Sequence, residues 1–105
     1  MTLTEFLLAR IVEDEGAAHA ALPGPWRWEN IGRPDGEHIA RHAPDRVLAE
    51  CAARRAIVEM HTGPHECPTP ESSCGWCVDS DECDTCRAFA LPYADHPDFD
   101  PAWSL

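Results

Sequence analysis

The chain has 105 residues and a net charge of −11, which predicts one small domain over residues 1–105 with a modest core. Nineteen acidic residues against eight arginines argue against direct binding to nucleic acid or to an anionic membrane, because both require a basic face. The chain also lacks an apolar run of membrane-spanning length, and residues 1–14 lack the apolar core of a signal peptide, so we expect a cytoplasmic protein.

The first predicted element is a helix over residues 3–20. Thr2 and Glu5 have the spacing of a capping box, in which a hydroxyl and a carboxylate each satisfy an otherwise unpaired backbone N–H group. An apolar stripe at helical spacing follows, formed by Leu7, Leu8, Ile11 and Val12. These features predict a helix that buries one face.

A break follows this helix, because residues 23–25 read Pro-Gly-Pro. The alternation of Trp26 and Trp28 about an arginine is typical of a short strand, and Pro-Asp-Gly at residues 34–36 is a turn signal. A short β-ribbon after the first helix is therefore an optional part of the predicted fold.

Two further helices are predicted. The second covers residues 44–61, because Pro44 suits the first helical position and no helix breaker occurs before Gly63. It carries Cys51, which we expect to be a buried, unreactive residue. The third is short and covers residues 81–91. The predicted fold class is thus mainly α, with about three helices and a zinc-stabilised loop rich in cysteine.

The cysteines are concentrated in one segment, with five of the six lying between Cys67 and Cys86. In a reducing compartment, clustered cysteines are more often metal ligands than disulfides. Cys74 and Cys77 form a C-x2-C pair, whose two thiolates can hold one metal ion. An iron–sulfur cluster and a thioredoxin-like dithiol fit less well, because the spacing and the absence of a βαβ pattern disfavour them.

Helix position and charge select among the candidate ligands. Cys83 falls in the first turn of the third predicted helix, where the helix dipole favours a thiolate. Three thiolates and a neutral imidazole place less negative charge on zinc than four thiolates do, in a loop that is already acidic. We therefore predict a zinc site formed by His61, Cys74, Cys77 and Cys83. Cys86 in place of His61 is the alternative, and a site that uses His65 or Cys67 stays open.

The function predicted from these features is not enzymatic. Four protein ligands leave no open position on the metal, and the sequence holds no phosphate loop, HExxH motif or nucleophile elbow. We expect a module with a structural zinc ion that binds a protein partner through its acidic carboxy-terminal half or its exposed aromatic residues. The alternative is an acidic nucleic-acid mimic, of the kind by which a phage protein inhibits a host DNA-binding enzyme.

Several stretches of the sequence carry a family resemblance: residues 5–10 with 21–26, residues 38–61, and the ending Leu-Pro-Tyr-Ala-Asp-His-Pro-Asp at residues 91–98. In these stretches the chain resembles an uncharacterised family of small actinobacterial and actinophage proteins, a domain of unknown function. The resemblance implies no known activity, substrate or partner. It does imply conserved ligands at His61, Cys74, Cys77 and Cys83, and an apolar residue at the position of Cys86.

Overall fold

The computed structural model describes residues 1–21, 35–67 and 76–105. Within these ranges the chain is mainly helical, as the sequence predicts. The α-helices are α1 (Leu3–Ala20), α2 (Asp35–Arg41), α3 (Pro44–Met60) and α4 (Asp84–Ala90). Short 3-10 helices cover Ser80–Glu82, Leu91–Tyr93 and Pro101–Trp103. Two short strands, β1 (His65–Glu66) and β2 (Trp76–Cys77), pair in antiparallel orientation. None of the described helices has the length and apolar character needed to cross a membrane.

Helix α1 begins as its sequence predicts. The Thr2 hydroxyl accepts a hydrogen bond from the Glu5 N–H at 3.1 Å, and the Glu5 carboxylate accepts one from the Thr2 N–H at 2.8 Å. The capping box is therefore confirmed, and the bounds of α1 match the predicted range. The predicted apolar stripe is correct except for Val12, which is exposed.

The core lies between α1 and α3, and it extends to α4 and the carboxy-terminal tail. Helix α3 runs to Met60, with His61 as its C-terminal cap, and it buries Cys51 and Val58. The burial of Cys51 confirms its predicted place in the core. An ion pair between Arg55 of α3 and Glu15 of α1 also links the two helices.

The tail packs around Phe6 of α1. Its aromatic rings surround Phe6 with centroid distances between 5.1 and 6.2 Å, and they belong to Tyr93, His96, Phe99 and Trp103. Edge-to-face contacts of this kind add to the free energy gained by burying apolar area. Tyr93 and Phe99 therefore pack against the core, and Trp103 lies within it.

The third predicted helix is wrong as a single element, because the chain forms a 3-10 turn and then α4. The Asp79 carboxylate accepts hydrogen bonds from the N–H groups of Asp81 and Glu82, which favours a separate turn. Cys83 follows with extended backbone (φ −85°, ψ 116°) and begins α4 as its N-cap. Cys83 thus precedes the helix rather than lying in its first turn.

Of the turn predicted at residues 34–36, Asp35 and Gly36 belong to α2 instead, and Pro34 lies outside the described residues. Proline and aspartate favour the start of a helix as well as a turn, so the local sequence did not distinguish the two. Trp26 and Trp28, on which the optional β-ribbon depended, lie outside the described residues. Within the described residues, β1 and β2 form a ribbon in the cysteine-rich segment, and the predicted ribbon stays a prediction.

Candidate metal centre

Four side chains from the cysteine-rich segment converge on one point. The potential ligand atoms of His65, Cys67, Cys77 and Cys83 all lie within 4.8 Å of one another. The three cysteines are buried and His65 is half-buried. One imidazole and three thiols in such proximity could hold a metal ion.

The ribbon explains how two of these residues meet. Its antiparallel register pairs His65 with Cys77 and Glu66 with Trp76. Because successive side chains on a strand point to opposite faces, His65 and Cys77 share the inner face and Glu66 and Trp76 share the outer face. The exposure of Glu66 and Trp76 agrees with this division.

The separations within the cluster suit tetrahedral coordination. The Cys67 sulfur lies 3.5 Å from that of Cys83 and 3.7 Å from that of Cys77, and His65 Nε2 lies 3.1 Å from the Cys67 sulfur. Zinc–ligand bonds of about 2.3 Å to sulfur and 2.0 Å to nitrogen place sulfurs about 3.8 Å apart and a nitrogen about 3.5 Å from a sulfur. The two sulfur–sulfur separations are close to these values, whereas the nitrogen–sulfur separation is shorter. The cysteines that the structure describes are thiols rather than disulfides.

The His65 ring is oriented by its second nitrogen. Nδ1 lies 2.8 Å from the Gly63 carbonyl oxygen, so a neutral ring with its proton on Nδ1 donates there and directs the Nε2 lone pair toward the sulfurs. Histidines that bind metals commonly have this arrangement. Contact with the Gly63 carbonyl also raises the pKa of His65. Gly63 has a φ of 73°, a backbone conformation that glycine adopts at little cost.

The surroundings of Cys83 favour the thiolate form of its side chain, although the side chain is fully buried. Burial raises the pKa of the Cys83 thiol, but the N–H groups of Cys86 and Thr85 and the side chains of His65 and Cys67 outweigh it, and the pKa falls to about 6. The amides at the start of α4 thus favour negative charge on this sulfur. The thiolate is the form of cysteine that binds metal.

The segment between Cys77 and Cys83 also caps α1. The Leu3 N–H donates to the Asp81 carboxylate at 2.7 Å, and the Thr4 N–H donates to the Ser80 hydroxyl at 3.1 Å. The first N–H groups of an α-helix lack partners within the helix, and side chains of the cysteine-rich segment satisfy two of them here. The candidate metal centre and the start of the longest described helix are therefore physically connected.

The structure brings together part of the predicted ligand set. Cys77 and Cys83 belong to the cluster. Cys74 lies outside the described residues, so its participation stays a prediction. His61 ends α3 with its Nδ1 2.7 Å from the Ile57 carbonyl oxygen and its ring centroid 5.0 Å from that of His65. It lies beside the cluster but is not one of the four converging residues, and its role as a ligand also stays a prediction.

Cys86, the alternative ligand, is fully buried in α4 and is likewise not among the four. The cluster instead includes His65 and Cys67, which the sequence reasoning left open. Their spacing carried a usable signal, because residues i and i+2 of an extended segment lie on the same face. A His-x-Cys pair next to a C-x2-C pair can therefore supply two ligands from one strand.

Comparison with known families agrees with the resemblance noted in the sequence. Residues 1–105 match a family of unknown function, DUF6221. Among curated proteins and solved structures, none matches the chain significantly. Since the match extends over the whole sequence, the chain belongs to the DUF6221 family.

Proposed function

We propose that the protein is a non-enzymatic interaction module whose fold is completed by one zinc ion. The proposed ligands are His65 Nε2 and the sulfurs of Cys67, Cys77 and Cys83. The observation that carries this proposal is the convergence of three buried thiols with an imidazole that a backbone carbonyl already orients.

The chemistry of the donors favours zinc. Three thiolates and one imidazole are soft or borderline ligands, which suit zinc, whereas magnesium and calcium prefer oxygen. A Cys3His set is among the common structural zinc sites. Zinc also has no strong geometric preference beyond a tetrahedral arrangement of four ligands, with which the separations in this cluster agree.

The arrangement favours a structural rather than a catalytic ion. A catalytic zinc keeps a position for water or substrate, whereas four protein ligands fill the coordination shell. The three cysteines are buried, so a bound ion would be enclosed by protein on those sides. A chain of this size has a small core and gains much from such an additional constraint.

Elemental analysis of the purified protein tests the metal, with one zinc per chain as the expected result. Cobalt substitution then reports the ligands, because thiolate-to-cobalt charge-transfer absorption grows with the number of thiolates. Cys67→Ser should weaken this absorption and reduce zinc content. Cys51→Ala is the matched control, since Cys51 is buried outside the cluster and its loss should leave zinc content unchanged.

Paired histidine variants separate the two imidazoles. If His65 is the ligand, His65→Ala loses zinc or binds it more weakly, whereas His61→Ala retains it. The reverse result would show that His61 is the ligand, as the sequence alone predicts. Cys74→Ser and Cys86→Leu should both retain zinc under the proposed set, and loss of zinc from either would assign that cysteine a place in the site.

A further inference from the structure

The outer face of the ribbon exposes a large aromatic side chain. Trp76 is 65% exposed, and Val78, which follows the end of β2, is 57% exposed. Glu66 of β1 pairs with Trp76, Pro64 directly precedes β1, and both Glu66 and Pro64 are exposed. We call the surface formed by Pro64, Glu66, Trp76 and Val78 the ribbon face.

Trp76 has a carboxylate as its nearest cross-strand neighbour. The register pairs Glu66 directly with Trp76, and side chains opposite each other in an antiparallel pair have Cβ atoms about 4.5–5.5 Å apart. An indole ring and a carboxylate at this separation can contact one planar cation together. The ring face attracts the cation electrostatically, and the carboxylate accepts its hydrogen bonds.

The charge of the surrounding chain favours a cationic occupant. Residues 63–105 hold nine carboxylates and a single arginine. Asp79 and Glu82, which follow the ribbon, are both exposed. A basic partner segment would be attracted to this half of the molecule, whereas nucleic acid and anionic lipid would be repelled.

We propose that the ribbon face binds a basic segment of a partner protein, with an arginine side chain stacked on the Trp76 indole and paired with Glu66. Arginine suits this site better than lysine, because its planar guanidinium stacks on a ring while it donates to a carboxylate. The inference rests on the proposed function, since His65 and Cys77 on the inner face would be fixed by the zinc ion.

The test uses the zinc-loaded full chain and synthetic peptides of glycine alternating with arginine, lysine or glutamate. The chain has four tryptophans, and each gives one indole N–H signal in a proton–nitrogen NMR spectrum. The signal that disappears in Trp76→Phe is that of Trp76. We expect the arginine peptide to shift this signal, the lysine peptide to bind several-fold more weakly, and the glutamate peptide to have no effect.

Two pairs of variants separate the ribbon face from bulk charge. With binding measured by titration calorimetry, Trp76→Ala should weaken binding of the arginine peptide about tenfold, whereas Leu91→Ala, at an exposed apolar residue elsewhere, should not. Glu66→Gln should weaken binding more than Glu59→Gln, which removes the same charge from an exposed position on α3. Equal effects of the two glutamate variants, or an unchanged affinity in Trp76→Ala, would overturn the proposal.

Zinc content measured on the same samples keeps this inference distinct from the proposed function. A chain that binds one zinc but does not shift the Trp76 signal refutes the ribbon-face proposal alone. A chain that lacks zinc as purified, and remains folded, refutes the structural zinc instead. Self-association detected by sedimentation, with the same signal shifted by increasing protein concentration, would show that a second copy rather than a basic partner occupies the face, and would overturn the proposal.

Discussion

The contact between the cysteine-rich segment and α1 can be tested by removing one carboxylate. Asp81 lies between two proposed ligands, and its side chain accepts the Leu3 N–H at 2.7 Å. Asp81→Ala leaves this N–H without its partner and removes a negative charge from the positive end of α1. The variant should therefore destabilise the protein although Asp81 belongs neither to the metal cluster nor to the buried core.

The expected loss of unfolding free energy in Asp81→Ala follows from the hydrogen bond that the variant removes. A hydrogen bond to a charged acceptor contributes about 1.5–3 kcal/mol when it is sheltered, and the helix-dipole attraction is included in such measurements. Since Asp81 is only partly buried, we expect the lower end, about 1–2 kcal/mol. Asp81→Asn keeps an acceptor oxygen in place and should lose about half of this. Thr2→Ala, which removes the local cap of Glu5, should cost a similar amount, about 1 kcal/mol.

Urea unfolding of the zinc-loaded variants measures these free energies, and amide hydrogen exchange localises them. Asp81→Ala should speed exchange at the Leu3 N–H and leave the Glu5 N–H, which Thr2 caps, unchanged; Thr2→Ala should do the opposite. In a Cys77→Ser background, Asp81→Ala should cost less, because a segment without its metal no longer holds Asp81 against α1. A full cost in both backgrounds would refute the link between the metal and the helix.

Three further predictions concern single residues. Cys77→Ser should lower the melting temperature strongly, whereas Cys51→Ala should cost only about 1 kcal/mol, and equal losses would contradict the assignment of Cys77 to the metal site. Gly63→Ala should cost about 1–2 kcal/mol and weaken zinc binding, because an alanine disfavours the φ of 73° that places the carbonyl on His65; competition with a chelator measures the affinity. Burial and the hydrogen bond to Asp14 raise the pKa of Tyr93 to about 12, above its unfolded value of about 10. The contribution of Tyr93 to the free energy of unfolding is therefore complete below pH 10 and is lost as the pH rises toward 12. Tyr93→Phe should remove this part of the pH dependence, and identical alkaline unfolding curves for both proteins would contradict it.

Local signals accounted for the parts of the fold that the sequence predicted well. The capping box of Thr2 and Glu5 joins residues three positions apart, so the sequence itself contains the interaction. The start of α3 was also predictable from the local sequence, because proline suits the first helical position and Pro44 occupies it. The break at Cys83 was missed because Asp79 caps a 3-10 turn whose sequence also suits a helix. A local pattern therefore predicted the structure correctly where it fits only one kind of element, and failed where it fits two.

The cluster of converging side chains was harder to predict, because it depends on pairing between segments that are separated along the chain. Seven histidines and cysteines between His61 and Cys86 can supply ligands, and spacing along the chain does not show which of them face each other. The pairing of His65 with Cys77 decides this, and it arises from two strands of two residues each. Strands this short carry almost no propensity signal, so the sequence left His65 as one open candidate, and its pairing with Cys77 is visible only in the structure.

The position of the cluster gives a physical reason for the proposed metal binding in so acidic a chain. Residues 63–105 carry a strong excess of carboxylates, and their mutual repulsion opposes the compact state. In the proposed holo form, zinc joins the ribbon to the start of α4, and the segment between Cys77 and Cys83 is thereby held against the first turn of α1. The same bonds fix the inner face of the ribbon while its outer face remains exposed. Removal of the ion should therefore disturb two distant observables together, the protection of the α1 amides and the environment of Trp76. Loss of one without the other would show that the metal does not couple them.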